Sequence, residues 1–264
     1  MPEAVPRSPD YVQSLERGLA VIRAFDAEHR DLTLSDVARA TGLTRATARR
    51  FLLTLVELGY VTATDGRFSL RPRVLELGYP YLSSLSLPEL APPHMERLVA
   101  RVNESSSISV LDETDIVYVV RVPTRRIMSI TLSVGTRLPA YATSMGRVLL
   151  AGLPDDQLER LLARTELRPL TARTITDRSA LATLLARVRK QGFALTDQEL
   201  EQGLRSIAVP IRDGAGGVAA ALNVSVHASR ATAAALRRDV LPLLLETAAA
   251  IEKDLRGSGA TPRP

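Results

Sequence analysis

The sequence predicts an α+β protein: an N-terminal winged helix-turn-helix, a linking helix, and a larger C-terminal sheet-and-helix domain. Three observations carry this. Residues 34–55 read as two short helices pinched around a glycine. An Asp-Gly hairpin signal follows directly at residues 59–70. In the second half strands come first, helices follow and strands return, the pattern of an antiparallel sheet flanked by helices.

Residues 11–25 form an amphipathic helix whose inward face reads as Leu15, Leu19, Ile22 and Phe25. Thr33 then caps a helix, and Asp36 three residues on completes a variant of the capping box. Leu34, Val37, Ala38 and Thr41 share one face of that helix, and Gly42 supplies its left-handed stop. Thr44 caps the next helix, whose stripe Ala48, Leu52, Leu55 and Val56 turns inward. At about 100° per residue, Ala46, Thr47, Arg50 and Thr54 face away from it, with Arg45 and Arg49 at the flanks. Arginine forks read guanine edges or clamp phosphates, while the small Ala46 and Thr47 allow close approach and meet thymine methyls. A solvated basic helix is the bland account of such a face. Caps, glycine turn and hairpin in register favour a helix that reads double-stranded DNA. Arg67 stands beside the hairpin tip, where a wing meets the DNA backbone, and Gln13 and Arg17 on the first helix join the candidate contacts.

Beyond the hairpin, residues 71–79 begin a helix with Pro72 in its first turn, and residues 83–88 read as a junction. Residues 88–102 are helical despite Pro92 and Pro93. Strands are expected at 106–111, 116–122 and 127–132, and helices at 144–151, 155–163 and 178–191. Further strands fall at 193–197, 206–212 and 218–226, before a long helix from 230 to about 255. The domain boundaries follow as 10–70, 71–87 and 88–256. Residues 1–9 and 257–264 read as disordered tails.

Composition narrows the function. The 264 residues, 45% hydrophobic, suit two domains with a sizeable core. With no cysteine there is no disulfide, thiolate zinc site or cysteine nucleophile. His29, His94 and His227 are too scattered for a metal site. A formal net charge of +5, almost all of its basic side arginine, favours an anionic partner. No leader and no membrane-length apolar run is seen, so the expectation is a soluble, cytoplasmic protein with no membrane partner.

Taken together, the chain resembles the IclR family of bacterial transcription regulators from residue 12 to 255. The resemblance rests on Gln13-Ser-Leu-Glu-Arg-Gly-Leu19, Gly42-Leu-Thr-Arg-Ala-Thr-Ala-Arg-Arg50, Leu138-Pro-Ala-Tyr-Ala-Thr-Ser-Met-Gly-Arg-Val-Leu-Leu-Ala151 and Gly203-Leu-Arg-Ser-Ile-Ala-Val-Pro210. Within the family, residues 75–88 and 121–130 resemble the branch controlling aromatic-acid breakdown through protocatechuate and the β-ketoadipate pathway. The resemblance implies a winged helix-turn-helix, a linker helix and a GAF-like effector-binding domain, with dimers or tetramers on palindromic operators; no cofactor is expected. It also implies base contacts at Arg45, Thr47 and Arg50.

A small-carboxylate effector needs hydrogen-bond donors. Thr143-Ser-Met-Gly-Arg147 opens a helix, where the amides of Ser144, Met145 and Gly146 present the positive end of the dipole. The resemblance implies ligand contacts at Ser144, Met145, Asp197, Ser206, Asn223 and Ser225. Ser206 stands where many relatives carry cysteine, and Asn223 where serine is common. Arg137 is a candidate counter-charge by position alone. Each serine is equally accounted for by capping or strand polarity. Arg125 and Arg126 form a possible second basic site, better read as a solvated turn, and Tyr79 and Tyr81 suit packing between subunits. Two competing functions are a small-acid hydrolase, for which no nucleophile elbow, metal spacing or phosphate loop is present, and an architectural DNA-binding protein without a ligand.

Overall fold

The computed structural model describes residues 8–26, 28–84, 86–124 and 132–257. The expected strand at 127–132, apart from Leu132, and the Arg125–Arg126 pair lie outside these residues. So do the tails, except Ser8, Pro9 and Gly257, the last of which ends a helix. The chain divides into two compact units, Met1–Pro80 and Tyr81–Pro264.

The first unit holds α1 (Gln13–Arg23), β1 (Asp31–Thr33), α2 (Leu34–Thr41), α3 (Arg45–Glu57), β2 (Val61–Thr64) and β3 (Arg67–Leu70). Local chemistry sets each boundary. Thr33 Oγ1 accepts from the Asp36 amide at 3.3 Å while the Asp36 carboxylate accepts from the Thr33 amide at 3.1 Å, a closed capping box. The Thr33 hydroxyl also donates to that carboxylate at 2.6 Å, and this bond, with the one from the Thr33 amide, holds the Asp36 carboxyl below the usual carboxylate range. Gly42 stops α2 in the left-handed region at φ 67°. Asp65 and Gly66 both take positive φ, which a two-residue primed hairpin turn requires. β1, not foreseen, joins the hairpin in a three-stranded antiparallel sheet of order β1-β3-β2.

The core of this unit gathers Val21, Phe25, Leu32, Val37, Ala38, Ala48, Leu52, Leu55, Val61 and Phe68. The expected inward face of α1 needs correcting. Val21 and Phe25 are buried, but Leu15 and Leu19 are 63% and 48% exposed. The packed face runs through Gly18, which sits over the Phe51 ring, and leaves the apolar residues of the first turns on the outside. After β3 the chain continues as a 3-10 helix (Pro72–Leu77) and α4 (Tyr79–Ser84) rather than one α-helix. Arg73 donates to the Leu58 carbonyl at 2.9 Å, satisfying the end of α3, and lies over the Tyr60 ring.

The second unit contains α5 (Leu87–Leu90), α6 (Pro92–Val102), β4 (Ser105–Asp112), β5 (Asp115–Val122), β6 (Arg137–Pro139), a 3-10 turn (Ala140–Ala142), α7 (Ser144–Gly152), α8 (Asp155–Arg164), α9 (Arg178–Gln191), β7 (Ala194–Asp197), β8 (Leu204–Arg212) and β9 (Val218–His227). A last helix begins with α10 (Ala233–Ala235), passes through a π turn at Leu236–Val240 and ends as α11 (Leu241–Gly257). The strands form one antiparallel sheet of order β6-β5-β4-β9-β8-β7. On one face, α5, α6 and α11 pack against Ile108, Val110, Ile207, Val209, Leu222 and Val224. On the other, α7, α8 and α9 cover Ile116, Tyr118, Ala208 and Ala221. The small alanines let α7 lie close, and every residue from Ser144 to Ala151 is buried.

Two contacts hold α7 in place. A Cβ added to Gly146 would stand 2.1 Å from the Ala140 carbonyl oxygen, so only glycine fits there. Arg147, 1% exposed, donates to both carboxylate oxygens of Glu199 at 2.7 and 2.5 Å and to the Tyr141 carbonyl at 2.8 Å. We expect Gly146→Ala to lower the unfolding free energy by about 1–3 kcal/mol, as overpacked sites do. Glu199→Gln leaves the Arg147 charge buried without its counter-ion and is expected to destabilise by about 3–5 kcal/mol. Chemical denaturation of the intact chain checks both.

Candidate nucleic-acid interface and ligand cavity

On α3, Thr44 caps the helix by accepting from the Thr47 amide at 3.2 Å, and its hydroxyl lies 2.9 Å from the Thr47 hydroxyl. The inward residues Ala48 and Leu52 are fully buried, which turns Arg45, Ala46, Arg49 and Arg50 to solvent and leaves Thr47 half-buried. No carboxylate among the described residues engages Arg45, Arg49 or Arg50. These guanidinium groups stand available to an external anion. Arg67, beside the hairpin turn, donates to the Asp31 carbonyl at 3.3 Å and remains exposed. Gln13 is exposed and Arg17 half-buried on α1; among the described residues no hydrogen bond or ion pair joins either to α3.

In the second unit a narrow cavity of about 20 Å³ opens between the N-terminus of α7 and the sheet. Of the expected effector contacts, the structure brings together Ser144, Met145, Ser206, Asn223 and Ser225. Ser144 and Met145 are the first residues of α7, so their amides have no intrahelical acceptor. Ser144 does not cap its helix, since Thr143 does so by accepting from the Gly146 amide at 3.0 Å. The Ser144 hydroxyl lies instead 2.8 Å from that of Ser206.

Ser206 is the hub. Besides Ser144, it meets Asn223 Nδ2 at 3.0 Å, Ser225 Oγ at 3.1 Å and the Val224 carbonyl at 3.2 Å. A hydroxyl has one proton and two lone pairs, so only three of these four bonds hold at once. An incoming polar group can therefore displace one neighbour at little cost. Asn223 is fully engaged, donating to Ser206 and Ser225 while its carbonyl oxygen accepts from the Ser107 amide at 3.1 Å.

Three expected contacts lie elsewhere. Arg137 pairs with Val117 across β5 and β6, on the opposite face from Tyr118, and forms ion pairs with Asp112 and Asp115. Asp197 adjoins Thr196 on β7 and so points to the other face. It is held there by Arg205 at 2.7 Å and Arg173 at 3.1 Å. The Gly146 amide is taken by Thr143.

Sequence reasoning also missed lining residues: Tyr118, Ala142, Thr143, Thr196, Leu200 and Leu204. Burial pushes the Tyr118 hydroxyl up to about 12, so it remains a neutral donor at physiological pH. A signal for this face was present in the alternation of Ser105, Ser107 and Ser109 along β4, all buried. Directly opposed residues share a face, and Ser107 opposes both Arg121 and Asn223. Among the described residues no group of three His, Cys, Asp or Glu side chains is placed to hold a metal ion, and no helix is long and apolar enough to cross a membrane.

Comparison with known proteins matches this architecture along the chain. The IclR helix-turn-helix domain model matches residues 14–65, and the model of the bacterial transcriptional regulator IclR C-terminal domain matches residues 79–253. The Pca regulon regulatory protein of Pseudomonas putida is 47% identical over 92% of this chain and 84% of its own length. The crystal structure of a transcriptional regulator from Rhodococcus sp. RHA1 is 61% identical, covers 94% of this chain and 100% of that one, and superposes with a TM-score of 0.84. An IclR homologue from Microbacterium hydrocarbonoxydans, solved as a complex with 4-hydroxybenzoate, is 31% identical with a TM-score of 0.81 and covers 93% of this chain and 100% of its own. With both domain models matched in order and full-length relatives at this identity, the chain is a member of the IclR family of bacterial transcription regulators.

Proposed function

We propose that this regulator controls genes of aromatic-acid breakdown, binding a palindromic operator as a dimer or tetramer and sensing a small aromatic carboxylate. In this reading residues 10–70 bind DNA, 71–87 link, and 88–256 sense and assemble. Arg45, Thr47 and Arg50 meet base edges, Ala46 allows close approach to thymine methyls, and Thr44, Arg49, Arg67, Gln13 and Arg17 complete the DNA-facing set. Ser144, Met145, Ser206, Asn223 and Ser225, with Tyr118, receive the effector. The observation that carries the proposal is the buried polar cavity at the start of α7, on a chain whose other unit displays unpaired arginines on a capped recognition helix. The Pseudomonas putida and Microbacterium relatives supply the chemical class. The exposed apolar face of Tyr11, Val12, Leu15 and Leu19 suits self-association. Effector binding then acts by changing the spacing of two recognition helices on half-sites about 34 Å, one helical turn, apart.

Arg50→Ala is expected to cost about 1–3 kcal/mol of discrimination between operator and random DNA in electrophoretic or anisotropy titrations. Equal weakening on both DNAs assigns Arg50 to phosphate instead. For the effector, 4-hydroxybenzoate or protocatechuate at a hundredfold excess over its dissociation constant should stabilise the intact chain by about 2.7 kcal/mol in thermal unfolding. Unmoved melting across a panel of aromatic acids, together with unaltered operator binding, refutes the sensing role.

A further inference from the structure

The donors lining the cavity are neutral, yet a carboxylate is best held by a full positive charge. Arg121 supplies a candidate. The register of β4 on β5 pairs Ile108 with Val120 and Ser109 with Tyr118, leaving Val119 as a bulge. Residues 107 and 109 share a face, so their partners Arg121 and Tyr118 share it too, although three positions apart. Without the bulge, alternation would send Arg121 to the opposite face. It is half-buried and donates to the Ser107 hydroxyl at 3.2 Å. Burial holds its guanidinium below the usual arginine range.

The neighbouring arginines are committed. Arg147 is locked to Glu199, Arg205 and Arg173 to Asp197, and Arg137 to Asp112 and Asp115. Among the described residues no carboxylate accompanies Arg121. A desolvated guanidinium with one hydroxyl for company leaves most of its five donors for a ligand.

We propose that Arg121 anchors the effector carboxylate, with the ring lying across β4 and β9 and its hydroxyl meeting the Ser144–Ser206 cluster. This rests on the reading of the cavity as the effector site. β5 and β8 are three strand spacings apart, about 14 Å at roughly 4.8 Å each. The cavity between them is narrow, so a para-substituted ring spans it as the walls give way. The hydroxyls around Ser206 suit the phenolic end of such a molecule, and the guanidinium fork suits the anionic one.

Calorimetric titration of the full chain with 4-hydroxybenzoate and its uncharged analogue 4-hydroxybenzamide tests the assignment. The intact protein should prefer the acid by about tenfold or more, the weight of a charged hydrogen bond. Arg121→Gln should erase that preference, chiefly by weakening the acid, and Arg121→Lys should retain part of it. Unliganded melting temperatures report whether each variant folds. If the Gln variant does not fold, equal affinity of the intact protein for acid and amide overturns the anchor. Full acid affinity in a folded Arg121→Gln protein does the same while leaving the effector site standing. Binding of neither compound by the intact chain overturns the effector reading itself.

Discussion

The contact of α7 with the sheet is the constraint on which the second unit depends. A helix buried on all sides must lie on small residues, and the strands offer Ala208 and Ala221 beneath it. Gly146 brings it against the Ala140 backbone, and the Arg147–Glu199 pair fixes it from the side. Once the helix is seated there, its first amides necessarily open onto the sheet face that carries Ser206, Asn223 and Ser225. The cavity is thus a by-product of a packing solution, made polar because the strand residues beneath the helix start are hydroxyls and an amide rather than alanines.

The first unit obeys a different logic. Its core is small, and its geometry comes largely from termini and turns: the Thr33–Asp36 box, the left-handed Gly42, the Thr44 cap and the Asp65–Gly66 turn. Each is a local device with a local sequence signature. Together they set where α3 starts and which way it faces. Burial of Ala48 and Leu52 then leaves the arginines outside whatever else the protein does. This is why the exposed arginine face of α3 is legible residue by residue in the sequence.

Legibility falls where structure is decided at long range. The strands and helices of the second unit were readable from periodicity, but β1 and β6, three residues each, lack the length to declare themselves and exist through their pairing partners. Leu15 and Leu19 look like core residues by spacing, yet Gly18 and Phe51 set the packed face of α1. Arg137 and Asp197 sat near the right residues in sequence but on the wrong face of the sheet. Arg121 was hidden for the complementary reason: a bulge at Val119 breaks the period-two rule, and no pattern within β5 announces it. Ser144 and Ser206 stand in contiguous motifs, whereas Tyr118, Thr196 and Leu200 come from separate segments that only the fold assembles.

The same geometry explains how a ligand in this cavity can act on the protein. A ligand shifts a conformational equilibrium only through differential affinity for its states. The cavity is narrow, so seating a ring requires its walls to adjust, and those walls are the start of α7 and the Leu200 segment beyond β7. The two are not independent. Glu199, next to Leu200, is bound to Arg147 one turn into α7, and the Thr171 and Thr174 hydroxyls donate to the 198–199 backbone carbonyls at 2.7 and 2.6 Å. Breaking the buried ion pair is costly, so helix and segment move together as one body. The four-partner hydroxyl of Ser206 lies on the floor of that body, where exchanging one hydrogen bond for another costs little. The cavity wall thus combines a stiff ion pair on one side with an exchangeable hydroxyl contact on the other.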